Sequence, residues 1–230
     1  MFNGRVLGVD ACKAGWVGVA LAAERVAAYF AVTITELVAL AGLDGPLSVV
    51  AVDMPIGLPD IGRRQADGLA RKAVGVLRSS VFMTPCRAAL EASDHASASS
   101  LNRELADEGI SIQAFSLQRK LLEVDGWARH TRQRLVEVHP EVSFAALAGN
   151  PLTIGKKTWA GAQIRRRLLA GDGVELDADL GEATRRVAVD DILDAAAAAW
   201  TARRVLRGKA TSLPDPPQVF SDGLPSAIWC

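Results

Sequence analysis

The sequence predicts an α/β fold: a mixed five-stranded sheet with helices on both faces and a mainly helical insertion over 60–132, between the fourth and fifth strands. Three observations carry this prediction. Short alternating segments near the N-terminus, parted by small-residue turns, read as an antiparallel meander. A later continuous apolar run reads as a central strand covered on both faces. Strand-like and helical patterns then alternate to the end of the chain. At 230 residues, half of them hydrophobic, the chain is long enough for one such domain, and no low-complexity linker divides it.

Taken in order, Arg5 to Asp10 (Arg-Val-Leu-Gly-Val-Asp) is a buried strand that ends on an acid, and Ala11 to Gly15 is a turn of small residues. Trp16 to Leu21 and Arg25 to Thr33 alternate as the second and third strands. Thr35 caps a helix through Val38 to Ala41, which Gly42, Gly45 and Pro46 close. Leu47 to Val52 is the central apolar strand. It stops at Asp53, where Met54-Pro55-Ile56-Gly57-Leu58-Pro59 turns the chain sharply.

From Arg63 to Arg134 the pattern is helical and polar, with breaks at Thr84-Pro85, Asp94 to Ser100 and Gly109. Of its cations, Arg63, Arg64, Arg71, Lys72, Arg78, Arg87, Arg129, Arg132 and Arg134, most of the arginines read as solvated helix faces. Arg134 to His139 is the fifth strand, followed by a helix through Phe144 to Leu147. Lys156 to Ala170 reads as a basic helix, Gly171 to Gly181 as a turn-rich break, and Val187 to Arg207 as a long Ala-rich helix. The tail is Pro-rich from Pro214 to Pro217, with Ser226 to Trp229 suited to a final edge strand.

Charge is balanced, 26 basic residues against 26 acidic. Strong nonspecific binding to nucleic acid usually shows as a basic excess, so only a local patch is compatible with it here. Cys12, Cys86 and Cys230 have no C-x-x-C spacing, which speaks against a disulfide framework or zinc site and for a cytoplasmic protein. Asp10 follows too soon for a signal peptide, and no apolar run has the ~18–20 residues of a membrane span.

The chemistry-bearing residues are acids. Asp10 and Asp53 each end a strand, and in an open α/β sheet the functional crevice lies beyond the carboxyl ends of parallel strands. A right-handed crossover would make the two strands parallel neighbours. Asp191 and Asp194 stand three residues apart at the start of the last long helix, roughly 60° apart on one face. Aspartates are also favoured at helix starts, and Asp190 reads as the cap. The i, i+3 spacing favours Asp191, but Asp190, at i−4, also lies on nearly the same face as Asp194, so the choice of second helix ligand stays open. Clustered carboxylates without a matching His or Cys set favour a hard cation, Mg²⁺ or Mn²⁺.

Around this set, Glu137 and His139 share one side of the fifth strand. Glu137 is a candidate fifth carboxylate, and His139 a candidate proton shuttle or a core histidine. Glu141 follows as a weaker candidate, or as a helix-start carboxylate facing Arg87 or another arginine. Ser80 and Arg87, in a donor-rich loop, and Arg71, Lys156 and Lys157 are candidate phosphate ligands.

The order meander, helix, strand, helices, strand, helix, with acids at these points, is similar to the ribonuclease H-like fold. Asp191-Ile192-Leu193-Asp194-Ala195 resembles the acidic helix of RuvC-type Holliday junction resolvases. Nearly the whole chain resembles an uncharacterised bacterial and archaeal family of predicted RNase H-like nucleases, a domain of unknown function. The resemblance is carried by Gly8-Val9-Asp10 with Gly15-Trp16-Val17, by Asp53 to Pro59, and by Ser79-Ser80-Val81-Phe82 with Pro85 and Arg87. Glu137 to Phe144, Lys156-Lys157 and Asp191 to Ala195 complete it. One departure is Ala66, where that family often has cysteine, which argues against a cysteine nucleophile there. Cys12 reads as a small buried residue.

These readings favour a metal-dependent nuclease of unknown substrate, with DNA or RNA as the candidate partner. The alternatives are a phosphoryl-transfer or small phosphometabolite-binding protein on the same fold, and a non-catalytic binding module. The oligomeric state, homodimer included, is left open.

Overall fold

The computed structural model describes residues 4–23, 25–177 and 179–230. β1 (Arg5–Cys12), β2 (Gly15–Ala22) and β3 (Arg25–Ala31) form the expected antiparallel meander. α1 (Ile34–Gly42) follows, capped by Thr33 and not by Thr35. Thr33 Oγ1 accepts from the Glu36 amide at 3.2 Å, and the Glu36 carboxylate accepts from the Thr33 amide at 3.2 Å. This reciprocal box satisfies two otherwise unpaired donors, so the helix starts earlier than expected. β4 (Leu47–Val52) then runs parallel to β1.

Between β4 and β5 (Leu135–Val138) lie α2 (Gln65–Ala73), a 3₁₀ turn (Gly75–Ser80), α3 (Arg87–Leu90), α4 (His95–Ala106), α5 (Ile112–Ser116) and α6 (Gln118–His130). The segment 94–100, expected as a loop, opens α4 because the Asp94 side chain accepts from the Ser97 amide at 3.0 Å. β5 is parallel to β4.

The chain continues through α7 (Pro140–Ala148), α8 (Trp159–Gly171), α9 (Val189–Leu206), β6 (Ser212–Val219) and β7 (Pro225–Trp229). The helix expected from Lys156 starts only at Trp159, because Thr158 caps it by accepting from the Gly161 amide at 3.0 Å. Lys156 and Lys157 therefore stand in the preceding loop. α9 has Ala188 as its N-cap with no side-chain capping bond, so Asp190 lies in the first turn and does not cap.

Among the described residues the sheet has seven strands, not five, in the order β3-β2-β1-β4-β5-β7-β6. β7 is not an edge: it pairs parallel with β5 and antiparallel with β6. The Pro-rich tail is itself the edge strand β6. Proline has no amide to donate and is tolerated where no further strand pairs, and it also erases the alternation by which a strand is read.

Strand alternation sorts the core into two layers. Val6, Val49, Ala51, Val136 and Val138 face α9, with Phe144 of α7 and Leu169 of α8. Leu7, Val9, Val50 and Val52 face the opposite layer with Leu37 of α1 and Leu121 of α6. At Gly8 the backbone of α9 lies directly on β1: a Cβ there would sit 2.0 Å from the Ala199 nitrogen and 2.2 Å from the Ala195 oxygen. A glycine facing alanines lets helix and strand approach this closely, which sets the height of Asp194 over the end of β1. No helix among the described residues is long and apolar enough to cross a membrane.

Candidate metal centre

Asp10 has the same strand parity as Val6 and Gly8, so it points toward α9. Asp53, one residue past β4, has the parity of Val49 and Ala51, and its amide donates to the Val9 carbonyl at 2.9 Å. Asp194 descends from α9 one residue before the Ala195 contact with Gly8. One carboxylate oxygen from each of Asp10, Asp53 and Asp194 lies within 4.8 Å of the other two. At that separation two anions repel by about 3 kcal/mol at an effective dielectric of about 20.

Burial intensifies the strain. It raises Asp10 well above the ordinary carboxylate range, with Asp53 and Asp194 adding to the effect. Burial lifts Asp53 to about 6, against the opposing pull of Lys156. Asp194 rises to about 7 through burial, again opposed by Lys156. Asp191 is half-buried and raised by burial and by Asp190.

Lys156 is the local counter-ion: its Nζ donates to Asp194 Oδ2. Burial disfavours its charge, but Asp194, Asp53 and Asp10 outweigh that and push its pKa up. The loop that carries it is anchored from beneath. Buried Arg165 donates to Glu141 Oε1 and Oε2 at 2.6 and 2.7 Å, and to the carbonyls of Ile154 and Gly161, each at 3.0 Å. Glu141 thus meets an arginine, but Arg165 and not Arg87.

A cavity of about 200 Å³ opens over the carboxylates, lined by Asp10, Asp53, Ser80, Glu137, His139, Lys156 and Asp191 among others. The structure brings together Asp10, Asp53, Asp194 and Lys156, with Asp191 in the cavity wall. Glu137 is aligned with Val52 in the sheet, so it reaches the cavity wall from the sheet face opposite that of Asp10 and Asp53. There it accepts from the Ile56 amide at 2.8 Å and from Arg64 Nη2. Burial raises its pKa to about 7 despite Arg64. His139 sits at the start of α7, with Nε2 3.4 Å from the Ser80 carbonyl and Nδ1 buried without a partner. Burial lowers its pKa, keeping the ring neutral.

Arg87 is spent elsewhere, paired with Asp125 and, at 2.6 Å, with Asp222. Arg71 lines a separate surface recess with Lys72 and Arg78. Lys157 is near enough to Asp191 to lower its pKa slightly against burial. Cys12 is buried, 8% exposed, and Ala66 is fully buried.

Sequence reasoning missed Arg64, Asp67 and Arg165, all buried. Arg64 donates to Ser226 Oγ at 2.9 Å, to Thr84 Oγ1 at 3.0 Å and to Glu137, and pairs with Asp67 at 3.4 Å. Through Glu137 and the Ile56 amide, this network holds the turn that follows Asp53. For Arg165 a signal existed: it is four residues from Gly161 and from Leu169, both buried, so it shares their face. Arg64 carried no comparable signal.

A family model described as a protein of unknown function (DUF429) matches residues 8–219. The chain belongs to the DUF429 family. The match contains every member of the carboxylate cluster, Asp10 through Asp194, as well as Lys156. Among curated proteins and among solved structures, nothing matches the chain.

The carboxylates fit a divalent cation. Asp194 Oδ1 is buried with no hydrogen-bond partner, and an all-oxygen donor set suits Mg²⁺ or Mn²⁺. Among the described residues Asp10, Asp53 and Asp194 form the one such triad.

Proposed function

We propose that this DUF429 protein is a divalent-cation-dependent phosphodiesterase of the RNase H-like type, acting on nucleic acid. The observation that carries the reading is the convergence of Asp10, Asp53 and Asp194 within 4.8 Å at the carboxyl ends of parallel strands. The antiparallel meander, the α1 crossover and the parallel β1, β4 and β5 support it, being similar to the ribonuclease H-like architecture.

Asp10, Asp53 and Asp194 would hold Mg²⁺ or Mn²⁺, with Asp191 at the cavity wall. A bound ion would supply Lewis-acid polarisation of a phosphoryl oxygen and a more acidic water near neutral pH. Lys156 fixes Asp194 through Oδ2 and leaves Oδ1 without a hydrogen-bond partner. His139 donates through Nε2 toward Ser80 and keeps Nδ1 as a neutral acceptor that takes a proton during hydrolysis. The Arg64 network holds the Asp53 turn in register.

Calorimetry with Mg²⁺ and Mn²⁺ on wild type and Asp10→Asn tests the reading, with binding expected in the first and lost in the second. Labelled single-stranded, duplex, hybrid and branched substrates then identify what is cut. Wild type that binds neither ion at millimolar concentration overturns the proposal.

One observation favours a second reading. The cavity, at about 200 Å³, is smaller than a usual drug-sized ligand pocket, which suits a small phosphorylated group better than a large one. A small phosphorylated metabolite would fit it. Cleavage of a phosphodiester dinucleotide mimic with no cleavage of any polymer would favour this version.

A further inference from the structure

We infer that Arg71, Lys72 and Arg78 form an anchoring site for the phosphodiester backbone of a nucleic-acid strand that reaches the carboxylate cavity. The inference rests on the phosphodiesterase reading above and names where its substrate is gripped. α2 carries Arg71 and Lys72 in its last turn, the 3₁₀ turn carries Arg78, and the three line one surface recess at Gly75. From Gly68 to Leu90 the chain has no acidic residue. None of the three cations has an ion-pair partner among the described residues, whereas Arg63, Arg64 and Arg87 nearby are all paired. On a chain of net charge zero this is a concentrated local excess of positive charge.

Several other cations in basic runs are committed to the fold. Arg165 is buried on Glu141, Arg166 donates to the Leu176 carbonyl, and Arg203 pairs with Asp172. The recess is also well placed. The 3₁₀ turn that carries Arg78 ends at Ser80, which lines the carboxylate cavity. At ~2.0 Å per residue this turn covers roughly 10 Å, about three steps of a strand at ~3.4 Å each. Gly75 packs on Pro151, in the loop that continues to Lys156; a Cβ on Gly75 would lie 3.3 Å from the Pro151 Cβ. The segment that forms the recess thus runs on into the cavity wall and packs on the loop that carries Lys156.

The chemistry requires such an anchor. A cluster of carboxylates repels a polyanion, so attraction has to come from cations close by. Arginine forks and a lysine point charge bind phosphate oxygens without reading sequence.

The test is fluorescence anisotropy with a short labelled single strand, in EDTA so that binding is read apart from cleavage. Because Arg71 and Lys72 complement the end of the helix, the triple Arg71→Gln, Lys72→Gln, Arg78→Gln is preferred to glutamates. A control triple with the same charge change, Arg132→Gln, Arg207→Gln, Lys209→Gln, lies at other exposed positions. The recess triple is expected to weaken binding tenfold or more and to flatten the log–log salt dependence by about 2. The control is expected to stay within twofold of wild type. Equal losses in both triples, or no loss in the recess triple, overturn the inference. So does loss of binding to phosphatidylserine vesicles with oligonucleotide binding intact. If the recess triple loses the oligonucleotide while wild type binds neither Mg²⁺ nor Mn²⁺, the anchor stands and the phosphodiesterase reading falls.

Discussion

Lys156 donates to Oδ2 of Asp194 and leaves Oδ1 of the same carboxylate buried and unpartnered. The ammonium thereby offsets part of the negative charge of a cluster of three carboxylates, two of them buried. In the proposed function it competes electrostatically with a bound cation while keeping Asp194 oriented. Lys156→Met is expected to raise Mg²⁺ affinity at pH 8 by roughly tenfold, ~1.4 kcal/mol, and to lower the rate of hydrolysis. Calorimetry with the variant decides the matter: unchanged or weaker Mg²⁺ binding removes Lys156 from this role.

The raised carboxylate pKa values make the metal-free protein sensitive to pH. Folded Asp194 titrates near 7 and Asp53 near 6, both above their ordinary value of 3.8. In this window the folded state holds protons that the unfolded chain has released, so stability falls as pH rises from about 4 to about 7. The loss is expected to be on the order of 1–3 kcal/mol in EDTA. Urea midpoints at pH 5 and pH 8 read it directly. Asp194→Asn should flatten the difference, and Mg²⁺ should stabilise wild type more at pH 8 than at pH 5. A profile rising over this range contradicts the assignment.

Gly8 sets the spacing of α9 on β1. In Gly8→Ala the new methyl meets backbone atoms at 2.0 and 2.2 Å, which no side-chain rotation relieves. A destabilisation of about 3 kcal/mol is expected, together with weaker divalent-cation binding as Asp194 is lifted away from Asp10. Urea unfolding and calorimetry on the same preparation measure both effects. Unchanged stability would mean that the helix can shift without cost.

Arg64 closes a buried network that reaches β5, β7 and α2. Arg64→Met strands Glu137 and Asp67 in the interior, with an expected cost of about 3–5 kcal/mol. Adding Glu137→Gln should recover part of this, since it removes one of the stranded charges. Equal stability of the single and double variants would show that Glu137 is not coupled to Arg64.

Much of the architecture was legible because strand and helix periods are local properties. The meander, the central strand ending at Asp53, and the Ala-rich helix carrying Asp191 and Asp194 all follow from patterns within a few residues. The capping box Thr33-Ile34-Thr35-Glu36 was equally local, and reading it fully would have placed the start of α1. β6 was hidden because Pro214, Pro216 and Pro217 interrupt the alternation that marks a strand. Arg64 was hidden for a different reason: its partners Thr84, Glu137 and Ser226 are distant in sequence.

By itself the sequence determined which acids stand at strand ends and on which helix, and that the donor set is all oxygen. Only the tertiary structure decided which of them meet. The alignment of β5 beside β4 puts Glu137 in register with Val52, which turns it to the face away from Asp10 and Asp53. The contact of Gly8 with Ala195 and Ala199 brings Asp194 down to the other two, and a loop held by Arg165 delivers Lys156 to it. Period is encoded residue by residue, whereas register and close approach depend on how separate segments pack.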